Sequence, residues 1–199
     1  MMEIGEPHPA PSEIRLRVHC CAVCRTDLHV IEGDLSVKRL PLIPGHQVVG
    51  IVDEVGAGAR RLPGQRVGVA WLGKTCGHCT FCNGGRENLC LSSQYTGYDV
   101  DGGYAQYVVV PDDFAYEIPQ SLCDTKAAPL LCAGIIGYRA LKRAHVPEGG
   151  HLLLVGFGSS AHIVMSLAVH RGYQISVLTR THGHRKLAEQ MGAKWVGDD

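Results

Sequence analysis

His151-Leu-Leu-Leu-Val155-Gly156-Phe-Gly158-Ser-Ser-Ala161 runs from a short apolar stretch straight into two glycines and a small residue. An apolar run without polar alternation suits a strand buried on both faces of a parallel sheet. The Gly-x-Gly-x-x-Ala that follows predicts a strand-to-helix turn able to take a pyrophosphate. Gly156 makes the tight turn, Gly158 lets the phosphate reach the helix N–H groups, and Ala161 is small enough for helix–sheet packing. The pattern is weak alone and gains weight from lying between a strand and a helix. The competing reading is a plain glycine-rich turn.

Downstream, a helical pattern over 161–171, a buried strand over 174–179, a helix over 185–191 and a strand starting at Lys194 complete β-α-β-α-β. This is the first half of a doubly wound parallel sheet. An acid for the ribose 2′-hydroxyl is expected about 20 residues after the glycine turn. The second strand instead runs into Thr179-Arg180-Thr181-His182, with no acid before Glu189. A carboxylate repels a 2′-phosphate, whereas Arg180 can pair with it, with His182 or Arg185 as helpers. The expectation is therefore NADP(H) over NAD(H); the alternative is that Arg180 is a solvated surface residue.

Upstream the pattern changes. Strands are expected over 13–18, 47–55, 66–70 and 103–111, joined by Gly/Pro turns, so the first 120 residues read as a barrel-like all-β domain. Residues 124–141 read as helix interrupted near Pro129 and Gly134. Within the β region, Cys76-x2-Cys79-x2-Cys82-x7-Cys90 places four thiols in fifteen residues. That spacing suits a closed tetrahedral zinc site, a staple without an open position for substrate. Disulfides are the rival, but they need an oxidising compartment. The N-terminus shows no basic segment followed by an apolar one, which predicts no secretory signal and a cytoplasmic protein. A second constellation pairs Cys24 with His46, both beside turns. A catalytic zinc needs a third protein ligand, and spacing leaves Cys20, Cys21, Cys123 and Cys132 as candidates.

Composition excludes other classes. Nineteen basic and nineteen acidic residues give zero formal charge, which argues against a nucleic-acid or membrane-surface protein. No apolar run approaches a membrane span.

Taken together, Cys24-Arg-Thr-Asp-Leu-His29, Pro44-Gly-His46, the four-cysteine loop, and Pro129-Leu-Leu-Cys132-Ala-Gly with Gly137-Tyr-Arg-Ala-Leu141 resemble the zinc-dependent medium-chain alcohol dehydrogenases, in order and spacing, over nearly the whole chain. The resemblance implies a GroES-like β-barrel catalytic domain (1–133) followed by a partial Rossmann sheet (134–199). It implies two Zn2+ per chain, one held by Cys24, His46 and Cys132, the other by Cys76, Cys79, Cys82 and Cys90. Thr26 and His29 resemble the family's proton relay, Asp27 the carboxylate that orients the ligand histidine, and Arg25 a pyrophosphate contact. Trp71 resembles a pocket wall, with Leu35 lining the same pocket. The implied activity is interconversion of alcohols with aldehydes or ketones by hydride transfer to or from NAD(P), in a homodimer or homotetramer.

Three departures stand out. Gln47 replaces the usual Glu near the zinc, the start is short, and the sheet reaches only its third strand at Asp199. The last predicts a piece of a longer enzyme; the rival is a truncated zinc-binding module without turnover.

Overall fold

Alternation along Glu13-Ile-Arg-Leu-Arg-Val builds the first strand, with Ile14 and Leu16 fully buried and the residues between them more open. The structure is a computed structural model that describes residues 3–36 and 38–198. It divides into two compact units, residues 1–132 and 133–199.

In chain order the first unit contains β1 (Glu13–Cys21), α1 (Arg25–Glu32), β2 (Val48–Val55), β3 (Arg66–Val69), β4 (Leu72–Lys74), α2 (Thr80–Asn83), β5 (Gln94–Tyr95), β6 (Tyr107–Pro111), β7 (Ala115–Glu117) and α3 (Asp124–Ala127). Five strands form one antiparallel sheet in the order β6-β1-β2-β3-β7. Leu16 pairs with Val52 on one side and Val108 on the other, and these residues share a core with Ile14, Val48, Val67, Val69 and Val110. On the opposite face Val49, Ala70 and Ile118 pack against Ala127, Ala128 and Leu131. Successive side chains of a strand point to opposite faces, so Cys21 joins the first core and Cys20 the second.

Two details of this unit differ from expectation. The strand expected over 103–111 begins only at Tyr107. The residues before it bond to the loop ahead of β2: Gly102 N–H to Ile43 O, Gly103 N–H to Gly45 O, and Tyr104 N–H to Pro44 O. The helical stretch after 124 breaks at Cys132, not at Gly134. Four residues of α3 tighten into a 3-10 turn, Ala128–Leu131, and Cys132 (φ −129, ψ −77) separates it from the next helix. Pro129 has no N–H to give to an α-helical bond, which favours the tighter turn.

The second unit contains α4 (Ala133–Ala144), β8 (His151–Val155), α5 (Ser159–His170), β9 (Gln174–Leu178), α6 (His182–Gln190) and β10 (Trp195–Gly197). Its three strands are parallel, in the order β10-β9-β8. Leu152, Leu154, Ile175 and Val177 pack with Met165, Ala168 and Ala188 of α5 and α6. The expectation that β8 is buried on both faces is not met: Leu153 is 53% and Val155 75% exposed. Strands laid down in one direction by right-handed crossovers put both connecting helices on one face. Among the described residues no layer covers the alternate side chains of β8.

Among the described residues no helix is long and apolar enough to cross a membrane.

Candidate functional site

The antiparallel register of β1 and β2 assembles the first cluster. Cys21 pairs with Val48, so the chain leaving β1 runs beside the chain entering β2, and Ala22 N–H donates to Gln47 O at 3.1 Å. Cys24 sits at the N-cap of α1, and His46, 1% exposed, lies just before β2. Cys132 is delivered by the 3-10 turn whose Leu131 is anchored in the second core. Cys24 Sγ and Cys132 Sγ are 4.0 Å apart, and with one nitrogen of His46 all three ligand atoms lie within 4.8 Å of one another. A Zn–S length of about 2.3 Å sets the edge of a ligand tetrahedron at about 3.8 Å, so the three donors fit a zinc ion. Of the four candidates for the third ligand, Cys20 and Cys21 go into the two cores and Cys123 is exposed. Burial and the neighbouring Cys24 push the Cys132 thiol up to about 12. A divalent cation between the two sulfurs would offset both effects.

Asp27 organises this cluster from beneath. It is 2% exposed and accepts four hydrogen bonds. Oδ1 takes Gly45 N–H (3.2 Å) and His46 Nδ1 (3.0 Å); Oδ2 takes Cys24 N–H (2.8 Å) and the Tyr104 hydroxyl (2.9 Å). Burial alone would raise this carboxyl. The bonds from His46, Cys24 N–H and Tyr104 outweigh it and hold the group below the usual carboxylate range. With Nδ1 committed to Asp27, Nε2 is the His46 nitrogen available to a metal. Tyr104 was not legible from the sequence, where it fell inside an expected strand.

The other expected residues are placed as follows. Thr26 Oγ1 lies 3.7 Å from Cys24 Sγ. Thr26 and His29 stand one turn apart on the same side of α1, with no hydrogen bond between them among the described residues. His29 Nδ1 faces Asp34 Oδ2 at 2.6 Å, a partner the sequence did not suggest. Gln47 is buried and donates from Nε2 to Ala22 O at 3.3 Å, with no bond to Cys24, His46 or Cys132 among the described residues. Arg25 is exposed on α1. Trp71 forms a T-shaped pair with His46 (centroids 4.9 Å apart) and stacks on Tyr95 and Tyr98. Leu35 lines an open hollow of about 130 Å3 with Ile31, Leu42, Pro44 and Tyr98. Trp71 does not line this hollow itself, but it stacks on Tyr98, which does.

The second cluster is the cysteine loop between β4 and β5. Sulfur separations of 3.9 Å (Cys76–Cys82), 3.5 Å (Cys79–Cys82) and 3.6 Å (Cys76–Cys90) match the same tetrahedral edge, and all four cysteines are free thiols. The nearby backbone N–H groups of His78 and Cys79 lower the Cys76 thiol to about 6.

In the second unit Gly156 turns with φ +84, a conformation that L side chains avoid, and its N–H bonds Leu178 O at 2.8 Å. Gly158 caps α5, which starts at Ser159, two residues earlier than expected. Ala161 packs into the core of this unit. No atom within 4 Å would meet a Cβ at Gly158, which leaves room for a phosphate at the helix N-terminus. Arg180 is exposed and forms no ion pair among the described residues. One terminal nitrogen of Arg185, Nη1, is engaged by Thr179 O, Arg180 O and Asp198 Oδ2 (3.2, 3.0 and 2.6 Å). Parallel pairing of Gly197 with Leu178 brings Asp198 there, an acid near the end of β9 that the linear sequence hides.

Residues 10–120 match the family model of the alcohol dehydrogenase GroES-like domain. The chain is 56% identical over 198 residues to the probable alcohol dehydrogenase AdhA of Mycobacterium tuberculosis, covering 96% of this chain and 57% of that protein. A cinnamyl alcohol dehydrogenase of Helicobacter pylori, solved with NADP(H), superposes with TM-score 0.88 at 30% identity, covering 96% of this chain and 58% of that one. An Escherichia coli alcohol dehydrogenase solved with NADH superposes with TM-score 0.91 at 27% identity, covering 100% and 58%. The chain thus spans a little over half the length of the relatives it matches.

Proposed function

Because this chain belongs to the zinc-dependent medium-chain alcohol dehydrogenases, whose GroES-like domain it carries, we propose that it takes part in interconverting alcohols with aldehydes or ketones, exchanging hydride with a nicotinamide cofactor. The observation that carries this reading is the Cys24–His46–Cys132 cluster, three donors within 4.8 Å of one another; a zinc ion held by only three protein ligands would keep room for substrate. When bound, zinc supplies Lewis acidity toward the substrate oxygen, and the nicotinamide takes or gives the hydride.

The chain's own residues supply the rest. Cys24, His46 and Cys132 hold the metal, and Asp27 keeps His46 Nδ1 protonated and the ring in place. In this reading Thr26 Oγ1, beside Cys24, would take up the alcohol proton as it passes on its own, and His29 one turn on would release a proton to solvent. Trp71 and Leu35 mark the apolar side on which a primary or aromatic alcohol would lie. Gly156, Gly158, Ala161 and the start of α5 would cradle the pyrophosphate, and Arg180 supports NADP(H). The four-cysteine loop would hold the second, structural zinc. A homodimer or homotetramer in the cytoplasm belongs to the same reading, and so does a domain boundary near residue 133.

The alternative reading is a zinc-binding module without turnover. Metal analysis and activity decide between them. Zinc-loaded protein is expected to carry two metals per chain and to reduce NADP+ with a primary alcohol. Cys132→Ser should lose turnover and one zinc. Absence of turnover at full metal content would leave the module.

A further inference from the structure

Among the described residues, Tyr104 is the only Asp27 donor from outside the segments that carry Cys24 and His46. The other three come from Cys24, Gly45 and His46, whereas Tyr104 arrives 77 positions after Asp27. Its loop is tied to the Ile43–Gly45 backbone by three N–H···O bonds of 2.7–3.0 Å. Its ring packs close to Gly45: at φ +97 a Cβ there would come within 2.7 Å of Tyr104 Cδ1 and 3.0 Å of Cε1. Burial and then the bond to Asp27 raise the Tyr104 hydroxyl above the ordinary phenol value, so it stays a donor.

We propose that Tyr104 is a positioning residue for the three-ligand metal centre: by holding Asp27 Oδ2, it keeps Oδ1 on His46 Nδ1 and so aims Nε2 at the site shared with Cys24 and Cys132. A carboxylate turns about a broad two-fold torsion. Without the hydroxyl, only Cys24 N–H restrains Oδ2, and the imidazole loses part of its orientation. Partners outside the ligand set typically cost 10–100-fold in metal affinity when removed. Tyr104 stands one step further out, so a loss of about tenfold is expected.

The inference rests on the reading that Cys24, His46 and Cys132 bind metal. Its test uses Co2+ as the probe, titrated into the metal-free chain against a chromophoric chelator, with the cobalt absorption bands resolving the two sites. Tyr104→Phe keeps the ring on Gly45 and removes only the hydroxyl. Expected are about tenfold weaker binding and shifted cobalt bands at the three-ligand site, with unchanged affinity at the four-cysteine site. Unchanged affinity and bands at both sites overturn the inference. An unsubstituted chain that binds cobalt only at the four cysteines instead overturns the reading beneath it. In an Asp27→Asn background, Tyr104→Phe should cost little more; a full second loss shows that Tyr104 does not act through Asp27. Should Tyr104→Phe fail to fold, proton NMR of the unsubstituted chain decides. The Tyr104 hydroxyl is expected to exchange slowly and to show a cross-relaxation peak to the Gly45 amide, and fast exchange with water overturns the bond.

Discussion

Arg180 decides cofactor choice only if its exposed guanidinium meets a 2′-phosphate; one terminal nitrogen of Arg185 is tied to Asp198 and to two carbonyls. A charge-assisted bond contributes about 1.5–3 kcal/mol, and exposure favours the low end, about tenfold in affinity. Arg180→Asp is therefore expected to reverse or abolish a preference for NADP+, read as kcat/KM with both cofactors; an enzyme already favouring NAD+ would place Arg180 in solvent.

At the scale of elements, the cysteine loop cannot hold itself. It contains four residues of α-helix and three of 3-10 helix, between strands of three and two residues. Pieces that short do not persist without cross-links. Cys79→Ser is expected to remove one of two zincs per chain, by elemental analysis, and to lower the melting temperature of the first unit by about 5 °C or more. Retention of both metals and of the melting temperature would count against a metal role for the loop. The gathering of its four sulfurs was legible from sequence because they are local. The three-ligand cluster was half legible: Cys24 and His46 were visible beside turns, but only pairing of β1 with β2 sets them side by side. Only the packing of Leu131 brings in Cys132.

Across the whole molecule, burial separates residues that look alike in sequence. Leu16 is fully enclosed between Val52 and Val108, so Leu16→Ala should cost about 2–5 kcal/mol. Leu153, equally apolar and inside an apolar strand, is 53% exposed, and Leu153→Ala should cost under about 1 kcal/mol in this chain. Urea unfolding of each unit measures both, and a large loss from Leu153→Ala would reveal a layer over that face. The periodicity of β8 was read correctly as a strand. Its two-sided burial was misread, because apolarity reports what a strand can bury and not what covers it.

Local chemistry determined the strand-to-helix turn at Gly156, the four-thiol staple, the alternation of β1 and the change from β to α/β near residue 120, since each depends on neighbours within a few positions. Tertiary structure alone decided the rest. Tyr104 reaches Asp27 across 77 positions, Asp198 reaches Arg185 through a third strand, and Tyr98 stacks on Trp71 between it and the hollow lined by Leu35. A hydrogen bond or a stacked ring depends on distance in space, and only the register of paired strands converts separation along the chain into that distance.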